Sequence, residues 1–505
     1  MASVASIEPL TRVAPSPGVA VEDGDAERLG ELGYAQELKR GMGIFDSVAM
    51  GFATISPVVG LYAVVLVGMV VAGAAWVWVL PVALAGQCLL LTLYSELASQ
   101  WPIANGAYQW SRRLIGPRYG WFNGWVALCA YAVANTTIAY LGAPWALALL
   151  GIAPSAHAVV LTGFVLVALC SAVNMWGIDA LKRALAAGVA AETVASVGVG
   201  IALLLVFRQH GLSILTDSFG AEALSGGSLG AALLAALAVG GWAFIGFDAT
   251  VAAAEETHSA ARHVPRAVWI ALLSVGALVI LNAFATTLAH PDPAAVVAGK
   301  DVDPVTTAVV SSFGSWSAKP FAAVVLIAFL ACGMAAQGAT ARGIYSVARD
   351  GVLPGSSFLR GVDRRQAPVG GIVATTVIAW LGLLLGLEST AIGSLITFGT
   401  AAIYCSFLLL ATGALVARVR RGWIPYGHVR LGRTGTIVNV AAVAWLAFET
   451  INIAWPRASL APPGAPWYQI WAAPAVVGAI AVAGLLYLVV ARPERHLGTR
   501  PAGGA

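Results

Sequence analysis

The stretch "WAFIGFDATVAAAEET", residues 242–257, decides how this chain is read. It continues an apolar run, residues 229–243, that carries no charge, then sets Gly246 and Asp248 where a membrane-spanning helix needs apolar side chains. A backbone group left unpaired in hydrocarbon costs several kcal/mol, so irregular backbone at that depth persists only where it lines a cavity. A second stretch, "GFATISPVVGLY" at 51–62, raises the same question. There Pro57 removes a helix hydrogen bond and crowds the preceding turn, with Gly51 and Gly60 on either side.

Both stretches lie in a chain built for a bilayer. Of its 505 residues, 59% are hydrophobic and 10% charged, against about 25% charged in a soluble domain. No charged residue falls between Arg118 and Asp179, between Arg266 and Asp292, or between Lys319 and Arg342. Runs of about 20 apolar residues cross the roughly 30 Å of hydrocarbon in a bilayer. Twelve spans are expected, at 44–70, 75–98, 119–150, 157–176, 183–207, 229–254, 266–289, 319–341, 369–387, 391–416, 436–455 and 469–490. Residues 1–43 are polar and acidic, lack the order of a cleavable signal, and are expected as a disordered cytoplasmic tail. The lipid bilayer is thus the first partner, and the inner or plasma membrane the expected location.

Orientation follows from basic residues, which concentrate on the cytoplasmic side. With the N-terminus inside, 24 of the 28 Lys and Arg fall inside, and only Arg208, Lys300, Lys319 and Arg457 fall outside. An error of one span would abolish that split, so both termini are expected in the cytoplasm. The five cysteines sit singly in apolar stretches, which suits packing rather than disulfides or ligation. The seven histidines have no metal-ligand spacing and no nucleotide-binding loop is present, so no metal, no cofactor, no nucleic-acid partner and no enzymatic activity are expected.

The two interrupted segments fall in the first and sixth spans. Interruptions at corresponding positions of two halves are the best pointer to a transporter's midplane site. Five is odd, so the halves, 44–207 and 208–416, would enter the membrane in opposite directions. The fold class expected is an all-α polytopic membrane protein of twelve transmembrane helices. It comprises a five-plus-five inverted repeat with discontinuous helices one and six, a basic loop at 417–435, two further helices within 436–491, and a tail at 492–505. Helix N-termini attract anions and C-termini cations. A zwitterion would accordingly place its carboxylate on the N–H groups around Ile55, Ser56, Pro57, Val58, Val59 and Gly60, and its ammonium on the sixth-span carbonyls.

Three motifs carry a family resemblance: "WAFIGFDATVAAAEETHSAARHVPRAV", "LYSELASQWPIANGAYQW" and "ATARGIYSVARDGVLP". In this order they resemble the amino acid–polyamine–organocation permeases, and the last two look closest to the branch with γ-aminobutyrate and choline permeases. The resemblance implies alternating access, with Trp242 covering the substrate and Phe244, Ile245, Gly246 and Phe247 forming the unwound sixth-helix wall. It departs at "ISPVVG", where many amino acid permeases are richer in glycine; less room is left for a close carboxylate contact.

Three ionisable residues lie away from span ends, Glu192, Asp248 and Glu449, and each calls for a partner or a cavity. Asp248 adjoins the break and is read as substrate contact or coupling acid. Glu192 is the alternative coupling acid, because the fifth span of proton-coupled relatives supplies a titratable group. Glu449 is read as structural or at an oligomer contact, the oligomeric state itself being unassigned. Tyr131 and Asn135, one turn apart, are cavity candidates, as are Gln337, Thr397, Thr400 and Tyr404. Glu255, Glu256, Arg262 and Arg266 lie where a charge network would gate the cytoplasmic mouth. The eighth span offers no hydroxyl before Thr340, which favours protons or exchange over sodium. The expected function is secondary active transport of a small amino acid or γ-amino acid. The alternatives are an organic amine, choline, polyamine or other nitrogenous solute and, more remotely, a channel or receptor.

Overall fold

A computed structural model describes the backbone of residues 21–387, 391–461 and 464–498, and side chains at 24–387, 399–461 and 464–495. Among the described residues all regular structure is helical, apart from one isolated bridge between Met42 and Thr257. A short helix α1 (Val21–Glu31) precedes α2 (Ile44–Ile55), α3 (Pro57–Ala72) and α4 (Val79–Gln100). Next come α5 (Gly106–Leu114), α6 (Pro117–Leu150), α7 (Ala156–Met175) and α8 (Ile178–Leu205). The sixth expected span is split into α9 (Leu229–Gly240) and α10 (Ala249–Ala252), before α11 (Ala260–Ala289). Two loop helices, α12 (Pro293–Val297) and α13 (Pro304–Phe313), lead into α14 (Ala318–Ala348) and the short α15 (Ser356–Leu359). The chain ends with α16 (Val369–Leu383), α17 (Ala391–Arg420), α18 (Gly435–Ala454), α19 (Trp467–Ile470) and α20 (Ala472–Ala491).

Eleven helical segments among the described residues are long and apolar enough to cross a membrane. The first, Ile44–Gln100, runs 57 residues through α2, α3 and α4, well beyond the ~20 needed for one crossing. The chain is therefore an all-helical polytopic membrane protein.

The two broken segments lie at the centre. α2 packs on α11, α14 and α8, and α3 packs on α9 and on the 3-10 turn Gly241–Phe244. α6 joins α14, α17 and α5 around them, while α20 lies at the rim with most of its surface uncovered. Lipid tails are as apolar as leucine, so helices in a bilayer associate through close packing at small residues. Gly68 seats Trp76, Gly188 seats Ala331, and Gly86 lies so close to Trp445 that a Cβ would stand 1.8 Å from the indole.

The expectation of a disordered tail is corrected for residues 21–43. α1 and the residues after it run across the end of the bundle with Leu29, Leu38 and Met42 buried. Arg28 donates to the carbonyls of Ser99 and Gln100, each at 3.1 Å. Gly41 and Met42 N–H donate to the Glu256 carbonyl at 2.9 Å, and Gln36 donates to the Glu255 carbonyl at 3.0 Å. The physical reason is that the irregular backbone after α10 leaves carbonyls needing donors, and the N-terminal segment supplies them. Residues 1–20 lie outside the described residues. Glu449 also differs from the oligomer-contact reading: it is fully buried, and α18 packs on α17, α4 and α9.

The glycine packing gives a direct check. Gly86→Ala is expected to destabilise the protein by about 1–3 kcal/mol through overpacking against Trp445. Gly478→Ala on the exposed side of α20, where nothing lies within 4 Å, is expected to be neutral or stabilising by ~0.5–1 kcal/mol. Thermal midpoints of the detergent-purified proteins measure both.

Candidate substrate site at the two helix breaks

The first break is built by two residues. Pro57 takes the first position of α3, where its missing N–H costs nothing. Ser56 adopts φ 52° and ψ 116°, a left-handed conformation rare for a non-glycine residue, and closes α2 by donating its N–H to the Phe52 carbonyl at 2.8 Å. Four N–H groups normally go unpaired at a helix start. Here Pro57 has none, Val58 donates to Glu192 Oε1 at 3.0 Å, Val59 to Ser56 Oγ at 3.0 Å, and Gly60 to the Ser56 carbonyl at 2.9 Å. The Ser56 hydroxyl also donates to the same Glu192 oxygen. The expectation of free first-helix N–H groups awaiting a carboxylate is therefore corrected, because a glutamate from α8 and the local serine already take them.

The second break is opened by glycine. After the 3-10 turn, Ile245 is extended and Gly246 has φ 106°, which side-chain-bearing residues rarely adopt. A Cβ on Gly246 would meet Thr54 Cγ2 at 2.8 Å and its backbone at 3.2 Å, and one on Gly60 would meet the Ala243 carbonyl at 3.2 Å. The two breaks thus touch, backbone to backbone. Among the described residues no backbone N–H donates to the carbonyls of Ala243, Phe244 or Ile245. These groups end the first half of the interrupted helix and carry its partial negative charge.

Beside the breaks lies a cavity. Of the expected site residues, Ile55, Val59, Tyr131, Asn135, Trp242, Ile245, Gly246 and Asp248 line it. Ser56, Pro57, Val58 and Gly60 instead face the packing behind the break, and Phe244 and Phe247 are fully buried. Phe247 packs edge-on to Tyr94 at 5.1 Å and stacks on Phe407 at 5.6 Å. Thr397 falls outside the residues whose side chains are described. Asn135 spends both amide hydrogens on the Tyr131 carbonyl and Thr340 Oγ1, each at 2.8 Å. Gln337 bonds Ser171 and Thr376 between helices, and Tyr404 sits behind Gly241, accepting from Gln87 at 2.6 Å.

Sequence reasoning missed Thr54, Tyr94, Asn105, Gly106, Cys332, Thr340 and Ile403 on the cavity wall. Tyr94 and "ANG" were within a recognised motif, yet nothing local showed that they reach the breaks. Cys332 lies 3.4 Å from the Thr54 carbonyl, so the α14 residue nearest the first break brings a thiol rather than a hydroxyl.

Two side-chain clusters lie beyond the cavity lining. On the side of α12 and α13, Tyr62 packs edge-on to Trp145 at 4.8 Å and bonds Thr306 at 3.3 Å. On the side of the N-terminal segment, Arg349 grips Glu255 through two bonds of 2.7 and 2.6 Å, and Arg342 pairs with Glu256. Arg349 also lies 3.8 Å above the Tyr34 ring. Burial alone would lower the Arg349 pKa; Glu255 outweighs it and holds the guanidinium above its ordinary value. Burial raises the Glu256 carboxyl, and Arg342 opposes it. Arg262 and Arg266, expected in this network, are exposed and pair with neither glutamate.

An all-helical membrane protein with two helices interrupted against one cavity has the architecture of a membrane transporter. The chain belongs to the amino acid permease family, whose model matches residues 42–482, within the amino acid–polyamine–organocation superfamily. It is 24% identical to the amino-acid permease BAT1 of Arabidopsis thaliana over 96% of this chain and 97% of that protein. It is 27% identical to the low-affinity putrescine importer PlaP of Escherichia coli, covering 78% and 81%. A third relative, the branched-chain amino acid permease BcaP of Bacillus subtilis, is 25% identical over 83% and 89%.

The buried pairs make a prediction about stability. Removing one partner of a buried ion pair costs about 3–5 kcal/mol, because the other charge is left uncompensated. Glu255→Ala and Arg349→Ala are each expected to lower the thermal midpoint strongly, and the double variant by less than the two losses combined, as measured by a double-mutant cycle.

Proposed function

We propose that this chain is a secondary active carrier of a small solute bearing a protonated amine, working by alternating access. The observation that carries this reading is the pairing, on one cavity, of Asp248 with Ile245, whose carbonyl takes no backbone hydrogen bond, while among the described residues no Lys, Arg or His lines the wall. A cation is what such a wall stabilises. Amino acids and amines both carry that ammonium, and relatives of this chain bear the names of amino-acid permeases and of a putrescine importer.

In this reading the 57-residue segment makes two crossings, which brings the count to twelve, with residues 44–207 and 208–416 as the two inverted halves. The basic face, with the N-terminal segment across it, is cytoplasmic, and the membrane is the plasma membrane. The Tyr62–Trp145 contact is the outer closure and the Glu255–Arg349 and Glu256–Arg342 pairs the inner one. Proton coupling or solute exchange drives the cycle: Asp248 and Glu192 are the buried acids at the breaks, and Cys332 stands where a sodium site would need a hydroxyl.

Counterflow in proteoliposomes tests the reading. The wild-type protein is expected to show saturable, trans-stimulated uptake of an amine-bearing solute from a panel of amino acids and amines. Asp248→Asn is expected to lose at least ten-fold in uptake across pH 5–8, with the purified variant still monodisperse. Non-saturating flux would indicate a channel, and wild-type uptake by Asp248→Asn at every pH would remove Asp248 from the site.

A further inference from the structure

We infer that Glu192 fills, from inside the protein, the place where a substrate carboxylate would meet the first-helix amides, and that the solute carried is an organic amine without a carboxylate. The inference rests on the carrier reading above and narrows its substrate class.

The argument is an account of donors. A carboxylate entering a desolvated cavity needs N–H or O–H groups to replace its water. The start of α3 is the place where a broken helix offers them, and there each is spent: Val58 on Glu192, Val59 and Gly60 on Ser56, with Pro57 contributing none. Glu192 is fully buried and reaches the break from the side away from the cavity, since Ile55 and Val59 line the cavity whereas Ser56 and Val58 do not. Its acidic head bonds the Ser56 hydroxyl and the Val58 amide through one oxygen. That is the arrangement a bound solute carboxylate would adopt, supplied instead by α8.

Several side-chain donors near the cavity are likewise engaged within the protein. Asn135 has both amide hydrogens engaged, Asn105 donates to the Gly343 carbonyl at 3.2 Å, and the Thr54 and Thr340 hydroxyls donate back into their own helices at 2.7 and 2.8 Å. An acceptor that takes no backbone hydrogen bond, the Ile245 carbonyl, in contrast stands on the wall, with Asp248 beside it. An ammonium finds a counter-charge and hydrogen-bond acceptors on this wall. A carboxylate finds no cation on this wall, and at the first break it finds no open amide.

The test compares pairs of compounds that differ only by the carboxylate: ornithine with putrescine, lysine with cadaverine, and alanine with ethylamine. Each is presented to the full-length protein in liposomes, and half-saturating concentration and maximal rate are measured separately. For wild type, the amine of at least one pair is expected to half-saturate at a concentration ten-fold or more below its amino acid. Glu192→Gln keeps an oxygen on the Val58 N–H and is expected to retain that preference. Glu192→Ala frees the amide and is expected to narrow the ratio to within about three-fold, through a change in half-saturation for the amino acid. Should Glu192→Ala fail to purify as a monodisperse protein, the wild-type ratio and Glu192→Gln carry the test. An amino acid transported as well as its amine by wild type would overturn this inference and leave the carrier reading standing. Loss of the preference in Glu192→Gln would also overturn it, by showing that charge rather than occupancy of the amide decides. Absence of saturable transport for every pair would overturn both.

Discussion

The structure depends on one constraint: in a bilayer, a helix interrupts only where the backbone groups it frees find another partner, are buried in protein or line a cavity. The first helix meets it through Ser56, Pro57 and Glu192. Proline removes one donor, serine folds back on two, and a glutamate from a helix 134 residues further on takes the last. With those groups satisfied, α2 and α3 keep separate axes, and Gly60 presses on the Ala243 carbonyl while Gly246 presses on Thr54. A Cβ at Gly60 would crowd the Ala243 carbonyl and one at Gly246 would clash with Thr54, and Gly246 also needs its left-handed backbone. The second break then borders the cavity at Ile245, Gly246 and Asp248.

The two closures are built from different chemistry. One is aromatic, with Tyr62 wedged against Trp145 and tied by its hydroxyl to a loop helix. The other is ionic, and its arginines sit seven residues apart on α14, two turns along one face, each opposite a glutamate of the segment after α10. The N-terminal segment completes this second closure. It hydrogen-bonds the carbonyls of both glutamates and lays Tyr34 under Arg349, so separating α14 from the residue 254–258 segment would also disturb the strap. Leaving one partner of a buried charge pair uncompensated is costly, so in the proposed carrier these pairs would have two discrete arrangements rather than a continuum.

Much of this was legible in the sequence, for physical reasons that separate the parts. Apolar runs of membrane length gave nearly every crossing, because composition alone decides what enters hydrocarbon. Pro57 and the glycines around Asp248 marked both breaks, since backbone chemistry is local. What a residue faces is not local. Ser56 and Val58 were expected to meet solute and instead meet Glu192, whose place in α8 carries no signal of that pairing. Arg262 was expected at the gate through nearness in sequence, whereas helix periodicity puts Arg342 and Arg349 there. The N-terminal segment read as a solvated tail because its acidic composition hides three buried apolar anchors, Leu29, Leu38 and Met42.

The central claim is that two interrupted helices meet at mid-membrane and hold a solute between the sixth-helix carbonyls and Asp248. A single-particle map of the full chain in lipid nanodiscs, at side-chain resolution and with a transported solute present, tests it most directly. The account predicts interruptions at Ser56 and at residues 245–248, Glu192 on the Val58 amide, and solute density against Asp248 and Trp242. Continuous helices through both stretches, or solute seated away from them, would contradict it.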